Sequence, residues 1–371
     1  MKKLWSYFAA STVAVLLSIL VYAQADKKAF QDPLDVPAVQ QFGFRGITSQ
    51  PLMAITNTGT RVVAVGLRGL IIFSDDKGRS WHQARVPVQT DLVAVQFVNP
   101  DQGWATGHDA VILHTEDGGQ TWTKQFDNRV AVVTFPAYYR KRIASGDTSA
   151  APFLKEVQLN TQGDTSLPFL SVYFADPRHG IAVGSFGMIV ATDDGGKHWL
   201  PWLDRIDNKD FLNLNVIRKI GNDLVIAGEQ GGVYRYDEER QSFIAVSARY
   251  KGSFFDVAGT DGFMVAAGLR GTVYRSVDRG ATWQHVDTPV KDSFTTAAIV
   301  DGMTVLGSSA GSLLVSRDQG LTFQTQAVSH PMFFTAIDAL GPRSLVLAGL
   351  QGIDVEQVGI ERTATSNEVS Q

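Results

Sequence analysis

Arginine and glutamine recur at one place in a glycine-flanked turn. Arg68 stands in GLRGL, Arg270 in GLRGT, Gln230 in GEQGG and Gln351 in GLQGI. A guanidinium offers a planar fork of donors suited to carboxylates, and an amide offers both a donor and an acceptor. A second group is AYYRKRI, which brings together Tyr138, Tyr139, Arg140, Lys141 and Arg142. Aromatic rings beside arginines are the chemistry of protein-binding hot spots. Arg68, Arg270, Gln351 and the run Tyr138 to Arg142 are therefore the expected partner-binding residues.

Catalytic chemistry has no comparable set. The seven histidines are scattered, without the spacing of a zinc-protease helix. No phosphate loop occurs. TEDGGQTW (115–122) lacks the alternating acids and terminal Glu of a calcium loop. No catalytic residue, metal site or cofactor is expected. His82, His198 and His285 lie on or beside a recurring motif, where a structural role is expected.

That motif shows which elements must position the turns. SDDKGRSW (74–81), TEDGGQTW (115–122), TDDGGKHW (192–199), SVDRGATW (276–283) and SRDQGLTF (316–323) share one template, Ser/Thr-x-Asp-x-Gly-x-x-Trp/Phe. Its Asp can accept backbone N–H groups in a turn, its Gly can take a left-handed conformation, and its aromatic ring can bury a large apolar face. The structural residues of the motif are thus Asp76 and Trp81, Asp117 and Trp122, Asp194 and Trp199, Asp278 and Trp283, and Asp318 and Phe323. The fourth copy is degenerate, reading YDEERQSF (236–243).

The glycine turns mark the same period. Their first glycines are Gly66, Gly107, Gly184, Gly228, Gly268, Gly307 and Gly349, about 40 residues apart except for one double interval. Forty residues is the period of a four-stranded propeller blade. The expected fold is all-β: a seven-bladed β-propeller of four-stranded antiparallel blades over 51–358, with an insertion at 126–166. Each blade reads as strands A to D, with the eight-residue motif on the C–D hairpin. The glycine turns join B to C, so they share one face with the D–A links and hence with the insertion. Within the insertion, APFLKEVQL (151–159) reads as one or two helical turns. Phe254, Phe255, Phe294, Phe333 and Phe334 begin strand A and are expected to pack around the central channel. The seventh unit ends after strand C, so an N-terminal strand from Val36 to Ile47, within segment 26–50, is expected to close the ring. The tail 359–371 reads as disordered.

Composition narrows the setting. A chain of 371 residues with 44% hydrophobic content can build a large core, and its net charge of −4 gives no basic footprint for general nucleic-acid binding. Lys2 and Lys3 precede a long apolar run and then Ala-Gln-Ala at 23–25. This reads as a signal peptide over 1–25, cleaved after Ala25, or as an N-terminal anchor. The expected location is periplasmic. With no Cys, stability must come from packing.

The five eight-residue motifs resemble Asp boxes (BNR repeats). Two kinds of Asp-box propeller are relevant. Phe44-Arg45-Gly46-Ile47 resembles part of the Phe-Arg-Ile-Pro signature of sialidases, which implies the alternative of a glycan-binding or sialidase-like glycoside hydrolase propeller. Sialidases have six blades, however, and this chain has seven units. The wider resemblance, from Pro51 to Val358, is to the photosystem II assembly-factor-like propeller family. It is strongest for a proteobacterial branch associated with resistance-nodulation-division (RND) transporters of the MMPL type. It rests on Leu167–Trp199 (LPFLSVYFADPRHGIAVGSFGMIVATDDGGKHW), on LDRIDN, GSFFDV and GLRGTVYRS, and on the SGD…AA pattern at 145–151. The resemblance implies an exported, non-enzymatic accessory or assembly factor for an inner-membrane complex, with an RND-type exporter as partner. Thylakoid members carry an arginine patch, and Arg68 and Arg270 fall in comparable glycine-turn positions. Cyanobacterial members are often lipoproteins, and this chain lacks the cysteine for that.

Overall fold

The computed structural model describes residues 31–40, 46–161 and 167–358. The expected signal peptide and the tail 359–371 lie outside the described residues. Among the described residues, no helix is long and apolar enough to cross a membrane.

Seven antiparallel sheets follow one another in chain order. Their innermost strands, strand A of blades 1 to 7, are Leu52–Asn57, Leu92–Phe97, Phe169–Phe174, Leu214–Ile220, Phe254–Thr260, Phe294–Val300 and Phe334–Gly341. Each strand A packs on that of the next blade, and blade 7 packs back on blade 1. This is the expected seven-bladed propeller. Strand A opens in every blade on a buried residue: Leu52, Leu92, Phe169, Leu214, Phe254, Phe294 and Phe334. In six blades its ladder partner is a glycine. A Cβ on Gly268, for example, would lie 1.9 Å from the Ser253 carbonyl oxygen. In blade 6 the ladder puts Ser308 opposite Phe294. The repeat position there is therefore Ser308, one residue beyond the Gly307 that sequence spacing suggests.

Phe254, Phe294 and Phe334 are fully buried in clusters between blades, not around the channel. Phe255 does line the channel, a cavity of about 220 Å³. Polar bonds between neighbouring strands A rivet the ring. Asp256 Oδ2 accepts the Ala297 N–H at 2.9 Å, from blade 5 to blade 6. At the closure of the ring, Asp338 Oδ2 accepts the Asn57 N–H at 2.7 Å and Thr335 Oγ1 donates to the Leu52 carbonyl at 2.7 Å. Burial pushes the Asp338 carboxyl up from its ordinary pKa, against the hydrogen bonds it accepts from the Asn57 and Ala339 N–H groups.

Blade 7 has three strands, and no fourth joins it among the described residues. The described part of 36–47 does not form the expected closing strand. Ala38 N–H donates to the Val86 carbonyl, and the Gln83 amide donates to the Val39 carbonyl, so 36–40 lies along the outer edge of blade 1. Ile47–Ser49 is a 3₁₀ turn, with Ile47 packed beside Ile353 in the cluster between blades 7 and 1. Residues 41–45 lie outside the described residues. The ring closes through apolar packing of Leu52, Ile55 and Val62 on Leu340, Val346 and Ala348.

The five Asp boxes share one hydrogen-bond pattern. In blade 1, Ser74 Oγ donates to Asp76 Oδ1 and accepts the Gly78 N–H, both at 2.8 Å. Asp76 also accepts the Ser80 N–H at 2.8 Å and the Ser80 hydroxyl at 2.6 Å. His198 takes the Ser80 place in blade 3, 2.7 Å from Asp194, and so has the structural role expected of it. These bonds, led by that from the Ser80 hydroxyl, hold the Asp76 pKa down at about 2. Unfolded, this carboxyl titrates near 4, in the usual range. The folded state therefore binds fewer protons between those values, and its stability falls as pH falls. The urea midpoint should be steady above about pH 4 and drop as pH approaches about 2. Asp76→Ala should flatten that slope in a comparison of the two proteins at pH 5, 3 and 2.

Candidate functional site: the B–C turn face

The B–C turns are built by consecutive left-handed residues. Arg68 has φ 55° and Gly69 φ 71°; Arg270 has φ 55° and Gly271 φ 69°. Two positive φ values in a row match the twist of a tight hairpin. Asp109, Phe186 and Gln230 occupy the same place in blades 2, 3 and 4, with φ of 56°, 56° and 51°. Blade 2 lacks the second glycine, and Ala110 takes its conformation at φ 53°. Left-handed backbone is costly for residues with a Cβ, so the surroundings must hold it. They do so through the next blade. The Arg68 N–H donates to Asp91 Oδ1 at 2.8 Å, Phe186 N–H to Asn213 Oδ1 at 2.7 Å and Arg270 N–H to Ser293 Oγ at 3.2 Å. Gln351 differs, since its side-chain oxygen accepts the Phe333 N–H at 3.0 Å. The result is a rim of fixed backbones carrying exposed side chains, among them Arg68, Phe186, Gln230, Arg270 and Gln351.

The ring spreads these residues apart. Arg68 and Arg270 belong to blades 1 and 5, three blades apart by the shorter way round. Gln351 neighbours Arg68 across the boundary between blades 7 and 1, and Gln230 neighbours Arg270 across that between blades 4 and 5. Phe186 is a large apolar side chain, 50% exposed, at the same turn place. Sequence reading missed it, although SFG stands in its repeat where LRG stands in others.

The insertion lies on this face, as its place between strands D and A requires. It is more helical than expected. Helix α1 runs Asn128–Ala144 and helix α2 Ala151–Asn160. Asp127 caps α1 by accepting the Arg129 and Val130 N–H groups. Ala131, Phe135 and Tyr139 recur every four residues and are fully buried against blades 2 and 3. Pro136 interrupts the pattern and argues against a helix in sequence. Here its missing N–H leaves only the carbonyl of exposed Val132 without a helical partner.

This geometry corrects part of the expected binding cluster. Tyr139 has no exposed surface. Its hydroxyl donates to Asp204 Oδ1 at 3.1 Å and accepts the Leu203 N–H at 3.2 Å. Burial pushes its phenol well above the ordinary range. Arg142 bridges Asp147 at 2.6 Å and Asp204 at 2.5 Å. Both side chains latch α1 onto the link after blade 3, and a partner could not reach Tyr139 without unfolding it. Tyr138 is partly buried, with the Arg142 guanidinium 5.7 Å from its ring. Arg140 and Lys141 are exposed. Among the described residues, no three His, Cys, Asp or Glu converge as a metal site.

Fold, boxes and turns together define an Asp-box propeller of seven blades that presents a rim of clamped turns. A sequence profile described as Photosynthesis system II assembly factor YCF48 matches residues 21–135 and 148–316. The chain belongs to that family. One curated relative is the Photosystem II assembly lipoprotein Ycf48 of Synechococcus sp. (strain CC9902), 40% identical over 84 residues, which are 22% of this chain and 23% of the relative. Another is the Photosystem II stability/assembly factor HCF136, chloroplastic, of Cyanidioschyzon merolae (strain NIES-3377 / 10D), 28% identical over 88 residues, or 22% of this chain and 20% of the relative. The chain thus aligns with about a quarter or less of these relatives' length. Among solved structures, YCF48 bound to D1 peptide superposes with a TM-score of 0.62 at 17% identity, covering 88% of this chain and 100% of that one. YCF48 from Cyanidioschyzon merolae gives a TM-score of 0.58 at 16% identity, covering 84% and 96%. The WD40 propeller of Doa1 gives 0.59 at 10% identity, covering 87% and 96%. At such identities these likenesses speak for the fold alone.

Proposed function

We propose that this protein is a non-enzymatic, protein-binding accessory or assembly factor that docks its partner through the B–C turn face. The observation that carries this reading is the rim itself. Left-handed backbones, held from the next blade, present Arg68, Gln230 and Arg270 to solvent, and the turn of blade 7 presents Gln351 beside them. A side chain on a fixed backbone loses less freedom on binding, which favours recognition over a wide face. Family membership supports the same reading, since the family's named relatives are assembly factors and one solved relative carries a bound peptide. Arg140 and Lys141 on α1 extend the basic part of the face, while Tyr139 and Arg142 support it from beneath. The partner is an inner-membrane complex reached from the periplasmic side, with an RND-type exporter the specific candidate. That choice rests on the resemblance in Leu167–Trp199 and on the leader-like residues 1–25.

In-cell crosslinking from the B–C turns, followed by mass spectrometry, tests it. The wild type should recover an inner-membrane transporter, and Arg68→Glu with Arg270→Glu should reduce that recovery at least tenfold. The melting temperature should be unchanged, because both side chains are exposed. Undiminished recovery by the double variant would move the interface off this face.

A further inference from the structure

Helix α1 carries apolar side chains on its outer face as well as on its buried one. Val130, Val133, Ala137 and Lys141 recur at three- and four-residue spacing, so they share a face, and all four are exposed. Val133 is 66% exposed and Val130 41%. Two more large apolar side chains stand exposed nearby. Leu159, 52% exposed, lies in the last turn of α2. Phe186 lies where α2 ends, with the Asn160 amide nitrogen 3.5 Å from its carbonyl. Monomeric proteins seldom gather exposed apolar groups unless something covers them.

The same corner is basic. Residues 128–161 carry five basic and two acidic side chains, in a chain whose net charge is −4. Arg140, Lys141 and Lys155 are exposed and have no acidic partner among the described residues. The N-terminal arm is tied here as well. Asp35 holds the Arg129 guanidinium at 2.7 Å, and the Leu34 carbonyl accepts from Lys124 Nζ at 2.8 Å, so the arm reaches the first turn of α1. Upstream, residues 4–23 are a run of 20 without a charge, long enough to span a bilayer. Residues 24–30 separate that run from Gln31, a reach of about 28 Å at full extension.

We propose that this corner rests on a bilayer with anionic headgroups, to which residues 4–23 anchor the chain. Val130, Val133 and Ala137 enter the boundary between headgroups and acyl chains, while Arg140, Lys141 and Lys155 extend along the surface to lipid phosphates. So few apolar groups bind lipid weakly when free. On a short tether they meet it at an effective concentration of about millimolar, and the contact fixes how the propeller stands on the membrane. The inference shares the exported placement of the reading above but uses no protein partner. Protein-free vesicles therefore test it alone, and its failure there leaves the docking reading untouched.

The test uses the full-length chain reconstituted in vesicles of phosphatidylethanolamine and phosphatidylglycerol. The chain has no cysteine, so Val133→Cys and Leu321→Cys each accept one fluorescent label. Leu321 is 54% exposed on the Asp-box side of blade 6. A spin label on the lipid chains should quench the fluorophore at 133 roughly threefold more than at 321, since only 133 would lie within about 10 Å of the acyl boundary. Arg140→Glu with Lys141→Glu, or phosphatidylcholine in place of phosphatidylglycerol, should remove most of that difference. Both reversed charges are exposed, so the urea midpoint should hold. Three results would each overturn the proposal. One is equal quenching at the two positions. Another is a difference that persists in the charge-reversed variant and in phosphatidylcholine alone. The third is recovery from cells of a chain lacking residues 1–25, because nothing would then hold α1 at the lipid.

Discussion

Trp122→Ala should lower the free energy of unfolding by about 3–5 kcal/mol, the range for deleting a large buried aromatic side chain. Trp122 is only 4% exposed, although it belongs to a surface loop. Its indole N–H donates to the Gly119 carbonyl at 3.0 Å, and Phe97 meets it edge-on at 6.1 Å. The ring packs in a cluster that includes Val63 and Phe73 of blade 1 and Ala105 and Leu113 of blade 2. Its removal would empty a space that both blades wall and neither can readily fill. Urea unfolding of the two proteins should show a lower midpoint for the variant. A loss below about 1 kcal/mol would mean that the loop collapses into the cavity. Trp122→Phe, keeping most of the volume as Phe323 does in blade 6, should recover more than half of the loss.

The second large effect is expected at Tyr139. Tyr139→Ala should cost about 3–5 kcal/mol, because the ring is buried between α1, Phe153 and the link after blade 3. The loss should be local first. Amide exchange should quicken across Asn128–Ala144 and Ala151–Asn160 while the blades stay protected. Tyr139→Phe separates ring from hydroxyl. It strips Asp204 and the Leu203 N–H of one hydrogen-bond partner each and should cost about 1–3 kcal/mol. Partner recovery by Tyr139→Phe should match the wild type, since the residue supports the face without touching what binds there. Impaired recovery with unchanged exchange in both helices would contradict this structural role.

Fold and site were not equally legible in the sequence. The Asp boxes and glycine turns were legible because one local hydrogen-bond pattern recurs with one residue pattern, so spacing alone counted the blades. The same spacing misplaced the turn of blade 6, where Ser308 stands in for glycine, because a ladder register depends on the partner strand. Helix α1 was hidden by Pro136, although Ala131, Phe135 and Tyr139 at every fourth place carried a helical signal. The cluster Tyr138 to Arg142 showed which residue types were adjacent but not which way they point. A helix sends Tyr139 and Arg142 inward and Arg140 and Lys141 outward.

The sequence by itself determined the repeat: seven units, four β-prone runs in most, box and turn on opposite faces, and an insertion between strands D and A. Each of these follows from interactions within about ten residues of chain. Only the tertiary structure decided what neighbouring blades do to one another. It set Arg68 and Arg270 three blades apart, held left-handed turns from the following blade, and closed blade 7 on blade 1 by packing. It also showed that a box covers the blade before its own. Where the box is degenerate, at Tyr236 to Phe243, Ile181 of the preceding blade, some sixty residues earlier, is only half-buried. That degree of burial depends on contact between blades, which no local pattern records.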